Sequence, residues 1–337
     1  MAISAGPRPI GYWLPFGDRV TESHLILGIG ELLWDIVPDG MRLGGAPANF
    51  AVMAGRLGNH AAILSRIGRD DLGRRAIERL EPMPVDTSFI QVDPLNETGR
   101  VTVSLEGGEP HYTIHEPAAW DFLELSDEWV QLVERADAIC FGSLAQRKPQ
   151  ARQTIQALAA EASATCIRVF DVNLREPFYS AEILEESMQL ATVVKMNDAE
   201  APLVLDLLGL AVEGAPGPRE TLSTPEYLRA AAERLVAEFP GLQMVAATRG
   251  SHGSLLVTRD EWNEHPGFPV KVADGIGAGD AFTAAMTHYL LRGADLVTLN
   301  QAGNRWGGWM ASQSGAMPAL PNAVRDAITA AIESTAE

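Results

Sequence analysis

Short apolar runs alternate with helix-patterned segments along most of this chain, and that rhythm restricts its fold more than any other feature. His24 to Ile29, Ala61 to Ile67, Ala138 to Phe141, Cys166 to Asp171, Val193 to Met196 and Met244 to Thr248 read as strands. Pro47 to Leu57, Asp70 to Leu80, Pro149 to Ala162, Ser180 to Leu190 and Pro225 to Glu238 read as helices between them. Repeated strand–helix units join parallel strands, and the helices then cover both faces of the sheet. The expected fold is therefore a three-layer α/β/α sandwich around a mostly parallel sheet. Ligands in such sheets bind beyond the carboxyl ends of the strands. The rhythm breaks between Thr87 and Ile114. There Val101, Val103 and Leu105, then Tyr112 and Ile114, alternate on either side of Gly107-Gly108, a hairpin signal with no helix between. This stretch is too short for a second core and is expected to form a small β lid, inserted at about 87–120. A second hairpin is expected from Ser254–Val257 and Val270–Val272, followed by helices near Asp280–Arg292 and Leu296–Ser312. The expected organisation is a leader at 1–23, one domain at 24–325 and a closing helix end at 326–337.

With 337 residues, 46% of them hydrophobic, the chain can bury a large core. Its 44 acidic and 26 basic residues give a net charge of −18, which argues against a nucleic-acid or anionic-membrane surface. A small anionic ligand needs only a local site, so the overall charge leaves it open. Cys140 and Cys166 lie in apolar strand-like stretches and read as buried free thiols of a reducing compartment, a disulfide being the alternative. Residues 1–23 carry three prolines and no basic cluster ahead of an apolar run, unlike a secretion signal. No apolar stretch is long enough to span a bilayer. A cytoplasmic protein is expected, with Tyr12, Trp13 and Phe16 available to pack the leader on the surface.

Five motifs sit where the rhythm places strand ends. The first is Asp274-Gly275-Ile276-Gly277-Ala278-Gly279-Asp280, which opens the helix through Leu291. Glycines let backbone approach a ligand closely, and a helix N-terminus offers free N–H groups and a positive dipole end to an anion. Asp280 is there either as an N-cap or as a proton acceptor beside that anion. The second is Glu31, Asp35 and the loop Gly44-Gly45 with Asn49. It reads as sugar-hydroxyl ligands or as a capped glycine loop. The third is Asp171-Val172-Asn173-Leu174-Arg175, polar at every second position, or else a strand-end Asx turn. The fourth is Asn197 with Glu200, either a helix cap or a group that holds Mg²⁺ through water. The fifth is Thr248-Arg249-Gly250-Ser251-His252-Gly253, a tight loop suited to phosphate oxygens or a simple turn. No G-x-x-x-x-G-K-[ST] loop is present, and Leu33 breaks any dinucleotide fingerprint after Gly30.

In order and spacing these five motifs resemble the ribokinase-like (PfkB) carbohydrate kinases, most closely their fructokinase branch, over residues 24–325. The resemblance implies ATP- and Mg²⁺-dependent phosphorylation of a sugar hydroxyl, with fructose converted to fructose 6-phosphate. Other acceptors (2-keto-3-deoxygluconate or a nucleoside) and a non-catalytic sugar- or nucleotide-binding regulator are the alternatives. It implies Asp280 as catalytic base and the amides of Gly277, Ala278 and Gly279 as anion hole. Asp35, Gly44, Gly45, Asn49, Asn173 and Arg175 would lie at the sugar. Thr248, Gly250, Gly253, Asn197 and Asn304 would line ATP, with Asn197 and Glu200 organising Mg²⁺. Asp274, Ile276 and Gly315 match positions that hold K⁺ in many relatives. The position after Asp274, usually Thr there, is Gly275 here. Trp306 and Trp309 replace small residues and would reshape the adenine side or fill core. A homodimer through the lid is also implied.

Overall fold

The computed structural model describes residues 23–38, 40–106, 109–212 and 224–334. The leader (apart from Ser23), the Gly107-Gly108 turn and most of the loop at 213–225 lie outside the described residues. β1 (Leu25–Ile29) is followed by the antiparallel pair β2 (Leu33–Val37) and β3 (Gly40–Gly44). Then come α1 (Ala46–Arg56), β4 (His60–Gly68), α2 (Asp71–Leu80), β5 (Ile90–Asp93), β6 (Gly99–Glu106) and β7 (Glu109–Ile114). The alternation resumes with α3 (Asp127–Glu134), β8 (Ala138–Gly142), α4 (Pro149–Glu161), β9 (Ile167–Asp171), α5 (Ala181–Leu190) and β10 (Val193–Asn197). It continues through α6 (Glu200–Leu207), α7 (Pro225–Glu238), β11 (Met244–Thr248), β12 (Ser254–Thr258) and β13 (Trp262–His265). Three helices follow: α8 (Ala278–Leu291), α9 (Leu296–Ala311) and α10 (Asn322–Glu333).

Nine strands form the main sheet in the order β13-β12-β11-β10-β9-β8-β1-β4-β5. Every pairing from β11 to β5 is parallel; β12 alone runs against the rest, antiparallel to both β11 and β13. Successive side chains on a strand face opposite sides, and the core divides accordingly. Ile26, Cys140, Met244 and Ala246 pack with α1, α8 and α9. Their neighbours Leu27, Ile139, Val245 and Ala247 pack with α3 to α7. The expected three layers are thus present. Both cysteines are buried and unpaired. Among the described residues no helix is long and apolar enough to cross a membrane.

The small sheet differs from the expected lid in its origin. Its order is β3-β2-β6-β7, so half of it comes from residues 33–44, where the sequence rhythm marks no strand. β5 belongs to the edge of the main sheet, parallel to β4. Trp120, placed at the lid's end, is instead core. It is buried beneath Arg147, whose guanidinium pairs with the buried Asp121 at 2.7 Å. The second hairpin also pairs differently: β12 takes β13, not Val270–Val272, as its partner.

Candidate active site

The site grows from the carboxyl ends of the central strands. β1 runs into Gly30 and Glu31, and the chain returns through β2 and β3 to Gly45, directly against them. A Cβ on Gly45 would lie 2.3 Å from the Glu31 carbonyl oxygen, and φ there is 113°, so glycine closes this contact. Glu31 is buried, and its Oε1 accepts the Ala46 N–H at 3.2 Å at the start of α1. One turn further on, Asn49 donates from Nδ2 to Asp280 Oδ2 at 2.7 Å, across 231 residues of sequence. The loop after β3 and the glycine run before α8 therefore meet.

Asp280 is in the first turn of α8, behind Gly277. Gly277 has φ 77°, and a Cβ on it would lie 2.9 Å from Ala316 Cα. Loss of hydration pushes the Asp280 carboxyl up to about 6; Asp171 adds to the rise, while Lys195, the Asn49 bond and Arg175 oppose it. The Ala278 N–H reaches the Gly275 carbonyl at 3.3 Å, a long bond open to competition from an anion. Asp274 closes the loop by accepting the Ile276 N–H at 2.9 Å and the Gly315 N–H at 3.2 Å. Three of the residues expected to cradle a monovalent cation are therefore in one place.

Lys195, given no role in the sequence reading, lies opposite Asp171 of the third motif in the β9–β10 pairing. Lys195 Nζ is 3.1 and 3.3 Å from the two Asp171 oxygens, and both side chains are buried. A Cβ on Gly279 would approach this ammonium to 2.8 Å, so the cation adjoins the start of α8. Glu31 was also assigned no ligand role by the family resemblance. Burial pushes its carboxyl up to about 7, its Oε2 has no partner, and the charges of Asp280 and Arg175 act on it. Strand register and the burial of a loop acid emerge only when the chain is folded.

Asp35, on β2, is partly buried beside Gly44, where a Cβ would meet its Oδ2 at 2.9 Å. Burial pushes Asp35 up to about 6 against the pull of Arg175 and Arg42, with Asp274 adding to the rise. Arg175 is exposed, and Asn173 holds φ 39°, the left-handed region. Asn197 and Glu200 form a reciprocal cap. Asn197 N donates to Glu200 Oε2 at 2.8 Å, and Glu200 N to Asn197 Oδ1 at 2.9 Å. Glu200 Oε1 also accepts the Leu174 N–H at 2.9 Å, tying the Asp171–Arg175 loop to α6.

Asn197, Thr248 and Ser254 form one row across β10, β11 and β12. Behind Thr248 the loop closes with Arg249 N donating to the Gly253 carbonyl at 2.7 Å. Gly250 and Gly253 hold φ of 54° and 82°, and a Cβ on Gly253 would strike the His265 carbonyl oxygen at 1.9 Å. Asn304 lies next to this row, but its amide is committed inward, to Ser254 Oγ at 2.7 Å and the Asn300 carbonyl at 2.8 Å. Trp306 is fully buried and packs edge-on to Trp309, so of the two roles read for it, it fills core.

A sheet-edge glycine loop, a carboxylate at a helix N-terminus and a buried cation beside it define a phosphotransferase type of site. The family model for pfkB family carbohydrate kinases matches residues 38–323, and the chain belongs to that family. A relative from Pyrococcus horikoshii is 31% identical over 83% of this chain and 87% of its own length. The crystal structure of the uncharacterized sugar kinase of that organism in complex with ATP superposes with a TM-score of 0.71, at 30% identity over 87% of this chain and 94% of that one. Fructokinase from Vibrio cholerae O395, in its fructose-, ADP- and calcium-bound form, superposes with a TM-score of 0.73, at 28% identity over 90% of this chain and 98% of that one.

Proposed function

We propose that this kinase transfers the γ-phosphoryl group of Mg²⁺-bound ATP to the 6-hydroxyl of fructose. The observation that carries the reading is the Asn49–Asp280 hydrogen bond, which joins a sugar-side loop to a base at a helix N-terminus. Asp280 takes the hydroxyl proton as the oxygen attacks phosphorus. The amides of Gly277, Ala278 and Gly279, with the ammonium of Lys195, receive the charge that spreads over the transferred group. Asn49 Oδ1 and Glu31 Oε2 are buried acceptors without partners, and a hydroxyl-rich ligand supplies the donors they lack. Asp35, Gly44, Gly45, Asn173 and Arg175 complete this side. The acids Glu31, Asp35 and Asp274 favour a neutral sugar over a sugar acid such as 2-keto-3-deoxygluconate. Thr248, Gly250, Gly253 and the carbonyl oxygen of the Asn304 side chain form the nucleotide side. Asn197 and Glu200 would hold Mg²⁺ through water, using lone pairs not spent on the cap, and the ion would supply neutralisation of the charge that develops on the phosphates. The small sheet acts as the lid, and a cytoplasmic homodimer through it belongs to the same reading. A coupled ADP-release screen over sugars, sugar acids and nucleosides tests the acceptor: fructose should head the ranking, and a sugar acid or nucleoside in its place would remove this assignment.

The pH profile follows from Asp280. Its carboxyl is raised in the folded protein to about 6, and only the ionised form accepts a proton. kcat/KM for fructose should therefore climb as pH passes from 5 to 7 and then level off. A profile flat across that window would disconnect Asp280 from proton transfer.

K⁺ fits the turn that Asp274 ties to Ile276 and Gly315. A Cβ at Gly275 meets nothing within 4 Å, so a threonine enters there without a clash. K⁺ should raise turnover at fixed ionic strength, and Gly275→Thr should enlarge the effect. Equal rates in K⁺ and a large organic cation, for parent and variant alike, would remove the cation site.

A further inference from the structure

A cavity of about 470 Å³ shares none of its lining residues with the site around Asp280. Three arginines line it: Arg56 from the last turn of α1, Arg79 from the last turn of α2 and Arg325 from the first turn of α10. No acidic side chain is among the lining residues. In a chain of net charge −18 that is an unusual concentration of positive charge. Arg56 donates from Nη2 to the Met317 carbonyl at 3.3 Å, while its Nη1 is sealed from solvent without a partner. Burial, and then the charge of Arg79, push Arg56 down to about 10, so two like charges face each other with no carboxylate between them. Arg325 turns Nε and Nη2 toward Asp326 at 3.0 Å and is the one partly neutralised member. The N-terminus of α10 adds an independent feature. It has no side-chain cap and no acidic residue in its first turn, and its first residue, Asn322, lines the cavity. Such an end presents free N–H groups to an anion. Met83, Met317 and Leu320 supply an apolar wall.

We propose that this cavity binds a phosphorylated small molecule, its phosphoryl group held by Arg56, Arg79, Arg325 and the start of α10, and its less polar body against Met83, Met317 and Leu320. The volume suits a ligand of that size. Two short connections lead from it to the catalytic centre. Arg56 and Asn49, the partner of Asp280, share α1. Met317, held by Arg56, follows Ala316, which abuts Gly277. Occupancy therefore bears on the anion-hole loop as well. Binding itself stands independently of the fructokinase reading.

The test is calorimetric titration of the full chain, with the catalytic site saturated by a non-hydrolysable ATP analogue and ionic strength held with chloride. Inorganic phosphate and glycerol 3-phosphate are the two probes. Saturable binding is expected, at least about tenfold weaker in Arg79→Glu, which removes one charge-assisted contact and adds a repelling carboxylate, and unchanged in Asp280→Asn. Arg79 is exposed, so its variant folds even where replacement of Arg56 does not. Tighter binding of glycerol 3-phosphate identifies a phosphomonoester as the ligand, and equal binding identifies the free ion. Absent binding, equal binding in Arg79→Glu, or loss of binding in Asp280→Asn would overturn the site. Bound ligand that leaves turnover unchanged would overturn the connection to catalysis.

Discussion

Asp280→Asn should retain the fold and ATP binding while turnover falls by about 10²–10⁴, the range for loss of a general base. The amide is isosteric, so α8 and its packing are kept. Asn49 donates to the carboxylate at 2.7 Å in the parent, and the amide oxygen of the variant still accepts that bond. What disappears is a group that can take a proton near neutral pH. The loss should therefore appear in kcat, with KM for ATP little changed and with the rise between pH 5 and 7 abolished. Parent-like turnover in this variant would remove Asp280 from the chemistry.

The second large effect is expected in stability. Lys195 and Asp171 are both buried, 6% and 3% exposed, and pair at 3.1 Å. Breaking a buried pair leaves an uncompensated charge and costs about 3–5 kcal/mol. Lys195→Met should lower the melting temperature by roughly 5 to 15 °C. Removing both charges in Lys195→Met with Asp171→Leu should recover part of that, because no buried ion remains unpaired. Lys195 also opposes the upward shift of Asp280. Turnover that survives in Lys195→Met should therefore show its acid limb displaced to higher pH. A variant that melts with the parent would show the pair to be energetically idle, and an unmoved acid limb would separate it from Asp280.

Sequence periodicity located the strands that carry a continuous apolar run and the helices between them, because both faces of the main sheet are buried. It failed where that signal is weak. β13, Trp262-Asn263-Glu264-His265, is a polar edge strand, whereas Val270 and Val272, which look like a strand, are 40% and 61% exposed. β2 and β3 went without an assignment because β2 pairs in parallel with the distant β6, a contact no local pattern announces. Among the site motifs, glycines marked their own positions: Gly45, Gly253 and Gly277 are each held where a Cβ would collide. The Lys195–Asp171 pair was invisible because it depends on the register of β9 against β10. The burial of Glu31, unlike its place in the second motif, was not legible, because an acid after a strand usually meets water and here the return of Gly45 seals it in.

The most direct test is phosphorus NMR of the product formed from fructose and ATP. The proposed function predicts one new phosphomonoester on C6 of fructose, formed in step with ADP and suppressed in Asp280→Asn. No phosphorylated fructose, a phosphoryl group on a hydroxyl other than C6, or undiminished product from Asp280→Asn would contradict it.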